Sequence, residues 1–377
     1  MLDFIISFLS IIFIISIPVF LHELGHYMAA KSVGIKVEKF YVGMNLFGLG
    51  LKKKINDTEY GIGLFPLGGY VKVAGIIDES LDSSEPVEKK HYEFRSKNTF
   101  QKLWFLSAGV IMNFLLSIFI FTILFFSLGV EELVDEPIID GIHENITILN
   151  DVNDTLTVTS PAKLLNLEKD NKILMIDGYP INNWIDISNQ IKDKAGKEVS
   201  IKWENNFGKV QESNVVVAAR PAFDGTKIVK QGVLGIVGKT YHRDISFFES
   251  IYISTNRTYD IIVSSFYGFV GIVSGNLPLK YVSGIVGIGK EAGSIAQSAG
   301  FIGLVSLMAF ISSNLGLINI LPIPGLDGGH ATIAIVEGLI RRELPLKLKY
   351  GIQFLGLIII FSLFAFTIFN DLKNIFN

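Results

Sequence analysis

Apolar residues gather into four long runs along the chain, separated by segments of two different kinds. The first run extends from about Leu2 to Tyr27 and is uncharged between Asp3 and His22. The second covers about Phe100 to Val130, the third begins near Phe301 and passes Asn314, and the fourth covers Gly351 to Phe369. A stretch of about 18 or more apolar residues is long enough to cross a bilayer as a helix, so the pattern predicts four spans. From Glu131 to about His242 charges return. Short β-rich segments such as Lys172–Ile176, Val199–Trp203 and Asn214–Ala218 alternate there with turns, and one helical stretch runs from Trp184 to Lys194. That pattern predicts a small soluble α+β domain. In the region 243–300, Ser246 to Ile262 has the pattern of an amphipathic surface helix, followed by Gly-containing apolar pieces and turns. The expected organisation is a polytopic α-helical membrane protein with an inserted soluble domain. Residues 1–130 form the N-terminal half of the membrane domain, 131–242 the soluble domain, 243–300 a membrane-surface connection, and 301–377 the C-terminal half.

Two polar segments refine this picture. Between the first two spans lie eleven Lys and Arg residues, among them Lys31, Lys52, Lys53, Lys54 and Lys72, and a second basic group, Arg341, Arg342, Lys347 and Lys349, precedes the fourth span. The positive-inside rule makes both loops cytoplasmic. The two termini and the 131–242 domain then lie outside, with the end of the first span near the cytoplasmic face. Within the first loop, residues 60–73 (Tyr-Gly-Ile-Gly-Leu-Phe-Pro-Leu-Gly-Gly-Tyr-Val-Lys-Val) are apolar, Gly-rich and too short to span. They predict a strand pair, either a re-entrant hairpin dipping toward the first span or a surface hairpin on the headgroups. Residues 78–97, with Ser83-Ser84-Glu85-Pro86, predict an exposed linker.

Composition then narrows the chemistry. The mean hydropathy is +0.45 and the net charge −3, which gives no footing for a nucleic-acid partner. There is no cysteine, so disulfides, thiol catalysis and cysteine-ligated metals are excluded. His, Asp and Glu remain as metal ligands. His22-Glu23-Leu24-Gly25-His26 closes the first run. On a helix, residues four apart share a face, so His22 and His26 can offer two imidazoles to one Zn²⁺. Glu23 follows the first of them and can reach a water as a general base. Ionisable groups inside a span are costly enough to imply pairing or function. In the second span Gly109 and Asn113 lie four apart. A small residue permits close helix packing, and an amide in lipid seeks a partner. The third run ends in Asn319-Ile320-Leu321-Pro322-Ile323-Pro324-Gly325-Leu326-Asp327-Gly328-Gly329-His330, where prolines and glycines break the helix. Asp327 is the candidate third ligand. A cap on the following helix is its other reading, and His330, three residues on, competes for the place.

These motifs, in this order, resemble the site-2-protease-type intramembrane zinc metalloproteases of the bacterial regulator-of-sigma-E protease group. The resemblance covers nearly the whole chain. It rests on the HELGH at His22–His26, the Gly-x-x-x-Asn at Gly109 and Asn113, and the Asn-x-x-Pro-x-Pro-x-x-Asp-Gly stretch from Asn319. It implies that His22, His26 and Asp327 bind zinc, that Glu23 is the base, and that His330 is not a ligand. It implies that Asn314 and Asn319 help hold the substrate backbone; Asn113 is a further substrate-binding candidate, and so is Gly69, in the 60–73 segment expected to capture an unwound substrate as an added strand. Ser160-Pro161-Ala162 and the stretch Lys169 to Gly178 resemble a PDZ domain, with Asn166 and Lys169 where relatives carry Gly. The implied setting is a multi-pass protein of the bacterial inner membrane. It would cut transmembrane proteins or peptides, such as anti-sigma factors or remnant signal peptides. The alternatives are a catalytically inactive PDZ-bearing membrane scaffold, or a transporter built on broken helices.

Overall fold

In the computed structural model the described residues are 2–45, 50–76, 90–149, 155–224, 227–277, 282 and 284–376. Of the expected exposed linker at 78–97, residues 78–89 lie outside them; at its end Glu93 and Phe94 are buried, so that part is packed rather than exposed. Contacts divide the chain into two units. One comprises Met1–Phe125, Ser246–Phe266 and Leu279–Asn377; the other comprises Phe126–Ile245 and Tyr267–Pro278.

In the first unit, helix α1 (Leu2–Ser32) is apolar around its circumference, as a lipid-embedded helix is. It stops at Gly34, whose φ of 67° is the left-handed conformation of a helix C-terminus. There Gly34 N–H donates to the Lys31 carbonyl and Ile35 N–H to that of Ala30. This sharp stop folds the chain back along α1 as a four-stranded sheet: β1 (Val37–Met44), β2 (Gly50–Ile55), β3 (Thr58–Gly63) and β4 (Phe65–Val73). The order is β2-β3-β1-β4, with β1 parallel to β3 and antiparallel to β4. Residues 60–73 are therefore strands, but they do not form the expected hairpin. β1 lies between β3 and β4, and β4 is a sheet edge packed on α1. Helix α2 (Thr99–Leu128) crosses α1 closely at Gly25, where a methyl group would lie 2.5 Å from the Ala108 carbonyl oxygen.

The second unit holds strands β5 (Val130–Leu133), β6 (Ile139–Ile142), β7 (Asn145–Leu149) and β8 (Thr155–Thr159), then helix α3 (Pro161–Leu164). These are followed by β9 (Lys172–Ile176), β10 (Tyr179–Pro180), helix α4 (Trp184–Ile191), β11 (Glu198–Glu204) and β12 (Val210–Val216). It closes with β13 (Ala218–Phe223), β14 (Ile228–Val233), β15 (Ile236–Gly238) and β16 (Thr240–Arg243). A sheet in the order β10-β9-β11-β12 buries Ile173 and Ile176 of β9 and the alternate residues Val199, Ile201 and Trp203 of β11 in a core. α4 covers that core with Ile187 and Ile191. It starts in a reciprocal cap, in which Asn183 accepts from Asp186 N–H and Asp186 accepts from Asn183 N–H.

β5 pairs with β16, and exposed His242 on β16 lies 3.2 Å from the Glu131 carboxylate and 3.3 Å from that of Asp244. Hydrogen bonds to the two carboxylates, Glu131 first, hold its pKa above the ordinary histidine value. The stabilisation is thus full below the unfolded-state pKa and is lost as pH rises through the folded one. An NMR titration should place the His242 midpoint above 6.5. Glu131→Gln should move it down, and an unmoved midpoint would refute the pairing.

Helix α5 (Phe247–Val273) contains the expected amphipathic segment but runs on unbroken through Gly268 and Gly271. It buries Ser250, Ser254, Thr258 and Ile261, a stripe near the helical period, and exposes Phe248, Tyr252 and Tyr259. α6 (Ile285–Ser298) follows, its N-terminus held by the buried carboxylate of Asp371, which accepts from Gly284 and Gly287 N–H. α7 (Gly300–Ile320), α8 (Asp327–Ile340) and α9 (Leu346–Phe376) complete the chain. The buried Asp371 side chain thus satisfies amides at the start of α6 that the helix itself leaves without partners.

Among the described residues, four helices are long and apolar enough to cross a membrane: Ile5–Ser32, Thr99–Leu128, Gly300–Ile320 and Leu346–Lys373. These match the four runs of the sequence. Their outward faces carry large apolar side chains such as Phe119, Phe126, Phe354 and Phe361. Ser117, Ser312, Ser313, His22 and Asn113 are buried. Large apolar side chains facing outward, with polar groups buried among an apolar interior, are the distribution expected of helices that pack in lipid.

Candidate metal centre

The helical period places His22 and His26 on the face of α1 that meets α2 and the break between α7 and α8. The break is a run of Leu321 to Leu326, in which Pro322 and Pro324 cannot donate and Gly325 takes φ 90°. Gln353 of α9 fixes it by accepting from Gly325 N–H at 2.8 Å. The chain then re-enters a helix at Asp327. The carboxylate makes no capping hydrogen bond to α8, which has none from its N-cap side chain either. Instead Asp327 Oδ2 lies 3.1 Å from His22 Nε2 and 3.1 Å from His26 Nε2, and the two Nε2 atoms are 3.1 Å apart. The Asp327 carboxylate thus faces the two imidazoles rather than the amides of the α8 N-terminus.

Three donor atoms at the corners of an equilateral triangle are the face of a tetrahedron. An ion with bonds of about 2.0–2.1 Å in tetrahedral geometry needs donors roughly 3.3 Å apart. Two nitrogens and a carboxylate oxygen form a donor set zinc favours, and all three residues form the one candidate metal group found among the described residues. Both rings have a partner on the other nitrogen. His26 Nδ1 donates to the Phe105 carbonyl at 2.9 Å, and His22 Nδ1 lies 3.1 Å from the Asn113 amide nitrogen. Such outer hydrogen bonds set ring orientation at metal sites. Gly109, midway between these two partners on α2, clears the space: a methyl there would meet His26 Nε2 at 2.5 Å and His22 Nδ1 at 2.7 Å.

The group opens onto a cavity of about 510 Å³. Glu23 lines it beside the triangle, accepting from the Val71 backbone N–H of β4. Gly69 and Asn319 line the same cavity, so both sit where a substrate could reach them. Asn314 does not: its amide donates back to the Phe310 carbonyl of its own helix at 2.8 Å. Asn113 is fully buried and has no surface on the cavity. His330 lines the cavity outside the triangle, with its Nδ1 3.3 Å from Gln353 Nε2. Lys39 and Lys72, register partners across β1 and β4, also line it; in the sequence they read only as charges of the basic loop. The Phe105 carbonyl was missed as well, since a main-chain acceptor leaves no mark in a sequence.

The model of peptidase family M50 matches residues 10–363. The chain belongs to peptidase family M50. Two curated relatives bear the name "Putative zinc metalloprotease". The Campylobacter jejuni protein is 30% identical over 98% of this chain and 94% of its own length. The Fusobacterium nucleatum protein is 32% identical over 98% of this chain and all of its own length. The Caulobacter vibrioides metalloprotease MmpA is 27% identical over 99% of this chain and 97% of its length. The metal centre, the apolar helices and the family agree on a membrane-embedded metalloprotease of the site-2 type.

Proposed function

We propose that this M50 chain is an intramembrane zinc endopeptidase that hydrolyses peptide bonds within or near the transmembrane segments of other proteins. The observation that carries this reading is the 3.1 Å triangle of His22, His26 and Asp327 with Glu23 beside it at the head of one cavity. Zinc, when bound by these three residues, supplies a Lewis acid and brings the pKa of water near 7. Glu23 takes the proton of the attacking water and returns it to the leaving amine. A bare scaffold would have no use for this carboxylate beside the donors.

A substrate helix in lipid has its backbone amides bonded internally and must unwind before its carbonyl can be attacked. β4 is the receptor for the unwound segment: an edge strand lining the cavity offers its outward backbone groups for strand addition. Val71 N–H points outward to Glu23, so by strand alternation Gly69 N–H also faces outward. Gly69→Pro should lower cleavage by about tenfold or more while zinc stays bound, through one lost donor and a ring in the strand's path. The loss should exceed that of Gly69→Ala, whose Cβ meets the Tyr41 carbonyl oxygen at 2.9 Å and Glu23 Cγ at 3.3 Å equally but keeps the donor. Measuring both quantities on the purified protein decides it; unchanged cleavage removes β4 as the receptor. Asn319 completes this surface by bonding the freed substrate backbone.

The substrates are membrane proteins already trimmed outside the bilayer, of the kind represented by anti-sigma factors and remnant signal peptides. By the positive-inside rule, the basic loops support a cytoplasmic-side active centre in a bacterial inner membrane, with the termini and the 131–242 region extracytoplasmic. That unit is PDZ-like, on the strength of Ser160 capping α3 and the 172–178 strand and turn, and it selects or sizes substrates. The test of the central reading is proteolysis of a model transmembrane peptide by the purified chain. Cleavage that a chelator abolishes and zinc restores supports it. Cleavage indifferent to the chelator, or none by zinc-loaded protein, removes it.

A further inference from the structure

The sequence marks Asn113 as a substrate-binding candidate, and the fold puts it elsewhere: it is 0% exposed, on α2, with its amide against the far side of the His22 ring. The following inference rests on the reading of the triangle as a metal centre. A histidine that binds a metal through one ring nitrogen carries its proton on the other and donates it. For His26 this is satisfied, since Nδ1 donates to the Phe105 carbonyl and leaves Nε2 free for the ion. For His22 the converging atom is also Nε2, so Nδ1 must carry the proton.

The partner facing that proton is the Asn113 side chain. With the amide nitrogen toward the ring, two donors would confront each other, and Asn113 Oδ1 has no hydrogen-bond partner in its buried position. The two ends of a carboxamide have the same shape, so the hydrogen-bond network decides which one faces the ring. Half a turn of the amide puts Oδ1 on the His22 Nδ1–H and removes both faults at once.

We propose that Asn113 is a positioning residue of the metal centre, its amide oxygen accepting from His22 Nδ1–H so that Nε2 is held free and aimed at the ion. Phe105, Gly109 and Asn113 then act together as one face of α2, four residues apart: an acceptor for one ring, a gap for both, an acceptor for the other. The Asn113 turn is itself pinned, because Ser312 Oγ of α7 donates to the Asn113 carbonyl at 2.8 Å, and Ser313 Oγ bonds Ser117 Oγ at 2.7 Å. α7 leads directly into the break that delivers Asp327. The two hydroxyls therefore tie the support of His22 to the helix that positions the third donor.

The measurement is zinc affinity of the full-length chain, by competition with a chromogenic chelator, together with the absorption spectrum of the cobalt-substituted protein. Asn113→Leu removes the acceptor at nearly constant size, and should weaken zinc binding by about 10–100-fold and alter the cobalt bands. Asn113→Asp can only accept, and should hold zinc at least as tightly as the wild type. A merely structural role predicts the reverse, since a buried carboxylate would harm packing more than leucine does. Zinc affinity for Asn113→Leu within about twofold of wild type, or Asn113→Asp losing zinc, overturns the proposal. If Asn113→Leu does not fold, the Asp variant alone decides it in the same way. Wild-type protein that binds no zinc would remove the metal-centre reading and this one together; wild-type binding that Asn113→Leu leaves unchanged removes only this one.

Discussion

Glu23→Gln is expected to lower peptide-bond hydrolysis by about 10²–10⁴-fold, the usual range for loss of a general base, while the chain retains its zinc. The two halves of that expectation have separate grounds. Glu23 is outside the 3.1 Å triangle of donors, so the ion's ligands are untouched. The glutamine side chain has the same length and can still accept the Val71 N–H, so β4 keeps its place beside α1. What is lost is the capacity to take a proton from water at neutral pH. Cleavage of a model transmembrane peptide, with zinc counted by elemental analysis on the same preparation, reads both. Undiminished cleavage would deny Glu23 the role of base. Zinc lost along with activity would mean that the carboxylate helps hold the ion instead.

The parts of this molecule legible in the sequence are those set by local period and by lipid. Four spans follow from run length alone, and the i, i+4 spacing of His22 and His26 survives any error in helix boundaries. The β1–β4 sheet was not legible in the same way. All of β2 is solvent-exposed, including Lys52, Lys53 and Lys54, so its sequence reads as a polar loop. The insertion of β1 between β3 and β4 is a non-local pairing with no sequence signal, and two adjacent strand-like segments naturally suggested a hairpin. α5 continues through Gly268 and Gly271 because a single glycine inside a helix costs only about 1 kcal/mol relative to alanine, too little to end it. Asn113 shows the limit most sharply. An amide in a span announces that it has a partner, but nothing in residues 109–113 says whether that partner is a substrate or the ring of His22, 91 positions away.

Replacing Asp327 by alanine tests the arrangement at its most distant point, since this donor comes 301 positions after His26 and from a different helix. The expected result is loss of stoichiometric zinc and of detectable cleavage, with the membrane helices still folded. Zinc would keep only two protein ligands, fewer than the three that catalytic sites of this metal use. Folding should survive because the carboxylate contributes no capping bond to α8; its favourable interaction with the helix N-terminus is worth about 0.3–1 kcal/mol. Gln353 still fixes the preceding turn through Gly325. Asp327→Asn sharpens the test: it keeps an oxygen in place but removes the charge, and should bind zinc more weakly than wild type and more tightly than the alanine variant. Zinc content, detergent-solubilised thermal unfolding and peptide cleavage on the three proteins separate the roles. An alanine variant that unfolds early yet binds zinc fully would make Asp327 a cap after all. One that folds, loses zinc and cuts nothing would make the break between α7 and α8 the device that brings a carboxylate to the two imidazoles.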